Sequence, residues 1–376
     1  MTTGIERPST DLLYSEQEEF LRETVRDVLN KACDWTSVLA LTESESAIDR
    51  SLWRTLAAEV GGAALALPED IGGAGASWRE TAVVLEELGR SIAPVPYLGS
   101  SVIATVYAQE IGAGDLLASL AAGETIAAVA VSAGSPWFRS LPQVVTASDS
   151  TLTGTVSTVA DAAAADTLLV PVGEDTYLVD PAAAGVRCTQ VVSLDETRPL
   201  VDIEFSAAPA QRLEGTQSAG AATAAALRAG TALLASEQLG LAEHCLTATV
   251  EYLGVRRQFG RALGSYQALK HRLADLWVQI NQARAAARYA ADCLAAGSDD
   301  LAVAAAVAHS WASEVAVHAA EEYVQLHGGI GFTWEHPAHL YLKRAKSSTL
   351  MFGGPDIHRT HLAGLVNLPL PTLENI

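Results

Sequence analysis

Nine histidines and four cysteines are the residues from which a metal site or a thiol nucleophile would be drawn, and their spacing supports neither. Cys33, Cys188, Cys245 and Cys293 stand far apart, without a CxxC or CxxxC pair. His271, His309, His318, His336 and His339 show no metal-ligand spacing. No Ser/His/Asp or Cys/His arrangement can be located. Gly72-Gly73-Ala74-Gly75 is a turn with no Lys-Ser/Thr behind it, so it is not a phosphate loop. What remains is acid–base work by carboxylates, and binding by two compact clusters. In Arg256-Arg257-Gln258-Phe259-Gly260, followed by Tyr266-Gln267, the guanidinium of Arg256 offers a rigid fork of donors. Phe259 adds a flat ring, and Gln258 and Gln267 add amides. In Gln325-Leu326-His327-Gly328-Gly329-Ile330-Gly331-Phe332, the glycine pair lets a backbone come close and turn its N–H groups outward. The plainer readings are a surface ion pair for Arg256 and a helix end for Gly328-Gly329. Tyr266 and Phe332 read as core, and His327 as packing.

The elements that must position these clusters fall into three zones. Residues 1 to about 122 read as helical: Ser15-Glu16-Gln17-Glu18 is a capping box, with Leu21, Val25 and Val28 at helical spacing behind it. A second helix covers 53–60 and stops at Gly61-Gly62. A third covers 78–88 and is ended by Gly89, with Pro94 and Pro96 in the loop beyond. Residues 123 to about 210 change to short β-rich runs, at 125–131, 143–146, 167–172 and 200–205. From 211 to 376 the helical period returns. Tyr266, Leu269, Leu273, Leu276 and Ile280 form one stripe; Val303, Val307, Trp311 and Val315 form another, which stops at Gly328-Gly329. The alanine excess suits close helix–helix contact. The expected fold is therefore mainly α with a β insert: an N-terminal α-helical domain (1–122), a small β-barrel-like middle domain (123–210) and a C-terminal four-helix bundle (211–376).

The composition of the 376-residue chain removes several functions. With 44 acidic against 24 basic side chains, a charge of −20, the chain is a poor match for nucleic acid or an anionic membrane surface. No run approaches the ~20 apolar residues of a spanning helix. Residues 1–13 lack a basic region followed by an apolar one, so no secretory signal is expected. Dispersed thiols and the bland composition point to a cytoplasmic protein without disulfides or zinc.

The motifs resemble those of the acyl-CoA dehydrogenase family of flavoproteins, over nearly the whole chain. Leu67-Pro68-Glu69-Asp70-Ile71-Gly72-Gly73-Ala74-Gly75 with Leu85-Glu86-Glu87-Leu88-Gly89 is similar to its N-terminal signature. Arg256 to Gly260, Tyr266-Gln267 and Leu273-Ala274-Asp275-Leu276 resemble its R-x-x-F-G…(F/Y)-Q…L-A-D pattern. Residues 325–332 resemble its Q-x-x-G-G-x-G-(F/Y) element, with Pro337 and Arg344 at the following Pro and Arg. The resemblance implies FAD as cofactor, with Arg256, Gln258, Phe259, Gln267, Gln325, Gly328 and Gly329 on its adenosine and pyrophosphate side, acting on the FAD of a neighbouring subunit. It implies α,β-dehydrogenation of an acyl-CoA thioester: a carboxylate takes the α proton and hydride leaves to the flavin.

Two departures qualify that expectation. Family members place the base in a stretch resembling I-Y-E-G-T-x-x-I-x-R; here Leu350-Met351-Phe352-Gly353-Gly354-Pro355-Asp356-Ile357-His358-Arg359 puts Phe352 in the glutamate slot. The second slot used in the family lies before Glu237-Gln238-Leu239-Gly240 and holds Gly230. Asp356 and Glu237 are the replacement candidates, although Asp356, behind Pro355, has the position of a helix cap. In the β zone, Val131-Ser132-Ala133-Gly134-Ser135-Pro136 and residues 152–161 lack the family's T-E-P and its flavin-flanking Trp. One half of the cofactor site is eroded and the other intact. The resemblance extends to actinobacterial enzymes that act on steroid side chains and pair unlike subunits in a heterotetramer, one of which lacks the base and lends its half-site. That is the expected role. The alternatives are a self-sufficient homotetramer with a relocated base, and a structural or acyl-CoA-binding relic of the fold.

Overall fold

A computed structural model describes residues 11–44 and 48–369. Most of the stretch read for a secretory signal, residues 1–10, lies outside them. Six helices open the chain: α1 (Glu16–Ala32), α2 (Trp35–Thr42), α3 (Arg50–Arg54), α4 (Trp78–Arg90), α5 (Thr105–Ile111) and α6 (Gly114–Ala121). The Ser15 capping box forms, with Ser15 N–H donating to Glu18 and Glu18 N–H to Ser15 Oγ. α3 continues into a π-helical turn over Thr55–Glu59, so the helix foreseen for 53–60 is present but wider than α in its second half.

Eight strands follow: β1 (Ala127–Val129), β2 (Val145–Ser148), β3 (Thr151–Ala160), β4 (Thr167–Val172), β5 (Asp175–Val179), β6 (Val186–Val191), β7 (Leu200–Pro209) and β8 (Gln211–Leu213). They form two four-stranded sheets, ordered β1-β4-β5-β8 and β2-β3-β7-β6. The barrel-like expectation is corrected accordingly: the described residues form no closed barrel, and the sheets bury Leu152, Val170, Ile203 and Phe205 in a common core. Bulges in the β3–β7 ladder break the strict alternation that sequence reading depends on.

The remaining helices are α7 (Ala219–Val255), α8 (Gln267–Ala295), α9 (Leu301–His327), α10 (Ala338–Leu350) and α11 (Pro355–Leu365), with a small hairpin, β9 (Arg257–Gln258) and β10 (Arg261–Ala262), after α7. α9 does not bury the Val303–Trp311 stripe as its main face. Ala304, Ala308, Ala312, Ala316 and Ala319 lie in the core, while Val307 is exposed. Small residues bring the helices together here, and a pattern built on large apolar residues picks the neighbouring stripe.

Gly89 does not end α4, which runs on to Arg90. A Cβ at Gly89 would stand 1.9 Å from the Glu237 carbonyl oxygen of α7, and one at Gly240 would stand 1.7 Å from that of Glu86 in α4. These glycines are the point at which two helix backbones cross in contact. Beside that crossing lies a buried ionic knot. Glu237 accepts from Arg198 Nη2 at 2.5 Å and from Arg344 Nε at 3.0 Å; Arg344 also reaches Thr197 Oγ1 at 2.9 Å and Asp195 at 3.5 Å. None of the four charged residues is more than 3% exposed. Burial alone would raise the Glu237 carboxyl, but Arg198 and Arg344 overcome it and hold it below the usual range. The two arginines against Glu237 and Asp195 balance in charge, so the knot joins the β7 approach, α7 and α10 at no net buried charge. Glu237→Ala strands two guanidinium groups away from water. It is expected to cost about 3–5 kcal/mol of unfolding free energy, read from urea denaturation.

Candidate functional site

The two sequence clusters meet at one end of the helical bundle. The last turn of α7 carries Tyr252, whose ring stacks on the His327 imidazole at 4.2 Å between centroids, and whose hydroxyl donates to the His327 carbonyl at 3.5 Å. His327 Nδ1 is engaged by the Tyr323 carbonyl at 2.7 Å, so this histidine packs, as its place in the motif suggested. Arg256 caps α7 one turn beyond Tyr252 and the glycine pair follows His327 directly, so this stack brings the two motifs together.

Most of their polar side chains are exposed, and the Arg261 guanidinium lies over the Tyr266 ring at 3.7 Å. Arg256, Arg257 and Arg261 have no carboxylate partner among the described residues, and Gln258, Gln267 and Gln325 are exposed. Phe259 and Gly260 form the two-residue turn of the β9–β10 hairpin, with φ of +51° and +82°. Phe259 is 89% exposed. A phenyl ring open to water on a left-handed residue carries two unfavourable features at once. Gly328 takes φ +64°, and a Cβ at Gly328 or Gly329 would meet nothing within 4 Å, so both backbones face open space. Phe332, read as core, is 75% exposed at the same surface, because the turn that follows α9 swings outward. Cation, open amide backbone and flat apolar ring together fit the pyrophosphate and adenosine of a dinucleotide.

The base slots lie elsewhere, and they touch. Phe352 is buried at φ +56°, with its N–H donating to the Ala133 carbonyl at 2.7 Å. A Cβ at Gly230 would stand 3.1 Å from Phe352 Cζ and 3.1 Å from Ile103 Cγ1. The aromatic ring therefore occupies the space into which either glutamate would project. Of the replacement candidates, Glu237 is held by two guanidinium groups, and Asp356 lies at the start of α11 with a fully exposed side chain, 3.6 Å from Arg359. Neither is a free carboxylate in a water-excluded place. Among the described residues no group of three or more His, Cys, Asp or Glu is placed to hold a metal.

Two histidines that the sequence left without a role fix the turn at Phe352. His309 Nε2 lies 3.0 Å from the Gly353 carbonyl and His358 Nε2 lies 2.9 Å from the Phe352 carbonyl. A carbonyl only accepts, so each Nε2 carries its proton. The rings sit 4.6 Å apart. Burial, then the neighbouring imidazole, pushes His309 down to about 3; burial lowers His358 as well. Nothing in the sequence pattern marks this pair: His358 turns back on a carbonyl in the bend just before α11, and His309 reaches the same bend from α9.

The Acyl-CoA dehydrogenase N-terminal domain family matches residues 15–124 and the Acyl-CoA dehydrogenase C-terminal domain family matches residues 220–365. The chain is 38% identical to the acyl-CoA dehydrogenase IpdE2 of Mycolicibacterium smegmatis, over 91% of this chain and 96% of that protein. Among solved structures it is similar to the ChsE4–ChsE5 complex from Mycobacterium tuberculosis, with a TM-score of 0.84 at 28% identity, covering 96% of this chain and 100% of that one. It is also similar to a variant of the Tcur3481–Tcur3483 steroid ACAD, with a TM-score of 0.83 at 31% identity, covering 94% and 98%.

Phe259→Gly removes both unfavourable features of the hairpin, so the isolated chain should be at least as stable as the parent, within about 1 kcal/mol in thermal or urea unfolding. Because the folded His309 and His358 titrate below the unfolded chain, the unfolded state binds the extra protons on acidification. Stability is then full above pH about 6.5 and falls as pH drops below it, by up to about 1.4 kcal/mol per pH unit from His309, with His358 acting in the same direction. His309→Gln, which retains an N–H donor, should flatten that slope in urea midpoints taken between about pH 7.5 and 5.

Proposed function

Since the chain belongs to the acyl-CoA dehydrogenase family, whose members bind FAD, we propose that it is the lending subunit of a mixed assembly. In this reading it grips the adenosine side of a FAD whose ring and base belong to a related partner chain. The observation that carries the reading is the contrast between the two ends of the site. Phe352 and Gly230 leave neither base slot usable, while Arg256, Phe259, Gly328 and Gly329 stand open at a surface.

Arg256 would hold the pyrophosphate through its donor fork, with the Gly328 and Gly329 backbone alongside. Phe259 would cover the adenosine, and Gln258, Gln267 and Gln325 would supply hydrogen bonds. When bound, FAD supplies the hydride acceptor for α,β-dehydrogenation of an acyl-CoA thioester; the proton goes to the partner's carboxylate. Two further features support an assembly. Trp277 and Val278 of α8 are 58% and 48% exposed, large apolar side chains open at the surface. Similar solved structures include the ChsE4–ChsE5 complex and a steroid ACAD, which makes steroid side-chain thioesters the proposed substrates. No helix among the described residues is long and apolar enough to cross a membrane, and cytoplasmic residence is part of this proposal.

Expressed alone, the chain should carry close to no FAD by flavin absorbance, and co-expression with the partner should restore flavin and activity. Arg256→Ala in this chain should then lower FAD retention by the pair at least about tenfold, about 1.4 kcal/mol. A pair that keeps full flavin and activity with Arg256→Ala excludes lending. One FAD per chain expressed alone, with turnover lost in Asp356→Asn, would establish the self-sufficient enzyme instead. No flavin under any pairing would leave the relic.

A further inference from the structure

Residues 11–14 run ahead of α1 as a strap between α4 and α8, and two arginines hold its backbone. Arg79 of α4 donates to the Asp11 carbonyl at 2.9 Å and to the Leu13 carbonyl at 3.1 Å, and Arg288 of α8 donates to the Leu12 carbonyl at 3.1 Å. Tyr14 ends the strap. The Arg288 guanidinium carbon stands 3.7 Å from the Tyr14 ring centre, and the Tyr14 hydroxyl donates to Glu86 Oε2 at 2.5 Å. None of the four residues is itself buried, so polar contacts fasten the strap in place of an apolar anchor.

The unusual group is the one that Tyr14 covers. Glu86 is 2% exposed, and its other oxygen, Oε1, is buried without a hydrogen-bond partner. The surrounding cations are committed elsewhere. Arg22 and Arg26 of α1 pair with Glu87, Arg284 of α8 pairs with Glu243 of α7, and Arg79 is shared between Glu18 and Asp292. Arg288 is taken up by the Tyr14 ring and the Leu12 carbonyl. A cavity of about 10 Å³ beside the strap, lined by Tyr14, Glu18, Arg79, Ser236 and Arg288, is too small for a counter-ion. A sealed carboxylate oxygen without a donor favours the protonated form. Burial, then the charge of Glu243, pushes the Glu86 carboxyl up to about 7, against the pull of the Tyr14 hydroxyl and of Arg288 and Arg22.

We propose that residues 11–14 form a pH-dependent latch: closed, Tyr14 seals Glu86 with a proton on it, and ionisation of Glu86 releases the strap. Lifting Tyr14 lets water reach the carboxylate and supply the donors that Oε1 lacks, which returns Glu86 to the ordinary carboxylate range. Closing therefore takes up a proton. The closed-to-open ratio is highest below the ordinary carboxylate value, falls by up to about tenfold per pH unit as pH rises to about 7, and levels off above it. α1 keeps its own anchors, Arg22 and Arg26 on Glu87, so release is confined to the segment ahead of Ser15. The latch is independent of the lent half-site: Arg256 and the glycine turn take no part in it.

The test is amide hydrogen exchange of the strap in the full chain, read by mass spectrometry and expressed at each pH against an unstructured peptide of residues 11–20. Between about pH 5.5 and 7.5 the protection of the strap should fall at least about tenfold. Glu86→Gln keeps an acceptor for the Tyr14 hydroxyl and cannot ionise, so its protection should stay high and flat across the same range. Tyr14→Phe keeps the ring under Arg288 but loses the hydrogen bond that favours the charged form, so its fall should extend to higher pH. Circular dichroism checks that each variant is folded. Infrared spectroscopy should show a neutral carboxylic-acid C=O band in the parent chain that titrates near pH about 7. Protection independent of pH in the parent chain, or the same fall in folded Glu86→Gln, would overturn the proposal. Should Glu86→Gln not fold, absence of the infrared band from the parent overturns it instead. Neither readout involves flavin, so failure here leaves the lending role standing and the converse.

Discussion

Glu237 sits where water does not reach, with a guanidinium on each oxygen, and three parts of the molecule are fixed by that arrangement. Arg198 comes from the approach to β7, Arg344 from α10, and Glu237 from the middle of the longest helix. Each charge is tolerable only in the presence of the others, so β sheets and helices hold one relative position or lose the knot as a whole. The crossing of α4 over α7 at Gly89 and Gly240 is set beside it, since the backbone of Glu237 itself is what Gly89 must clear. One residue therefore serves the crossing through its carbonyl and the knot through its carboxylate.

The same arrangement bears on the turn at Phe352. Arg198 also reaches the Met351 sulfur at 3.4 Å, next to Phe352, and the two neutral histidines hold the Phe352–Gly353 carbonyls from the other side. The turn is held from both sides. The ring of Phe352 fills the space beside Gly230, where an added Cβ would stand 3.1 Å from its Cζ, so a larger side chain at 230 needs the ring to move. Phe352→Glu removes an aromatic side chain from the Gly230 contact and places a carboxylate at a buried position.

Much of this was legible in the chain. The order helical, β, helical was readable because periodicity is a local property, and the clusters around Arg256 and Gly328 stand in contiguous residues. Phe352 and Gly230 were placed as slot residues by register against the family motifs, but their contact with one another, across more than a hundred residues, was not. The reading of Gly89 as a stop failed because a helix-ending glycine and a helix-crossing glycine are the same letter; only the opposing backbone tells them apart. The Val303 stripe misdirected attention for a related reason, since alanine is weak in any hydrophobicity pattern yet is the residue that lets helices approach. Arg198 and Arg344 carry no sign in sequence of sharing one glutamate.

The alanine face of α9 has a consequence for how the protein can change over time. An alanine codon is one base away from Val, Thr, Ser, Pro, Asp, Glu and Gly, and nearly all of these add bulk or charge. At Ala304, Ala308, Ala312, Ala316 or Ala319 there is no slack for either, and Gly, the one smaller neighbour, weakens a helix interior by about 1 kcal/mol. Large core residues elsewhere can drift through Ile, Val, Leu and Met with modest adjustment. The bundle interior around α9 has no such neutral neighbours within a single base change. Its sequence is therefore constrained most where its side chains are smallest, and drift is expected to collect in the sheets and on the exposed helix faces.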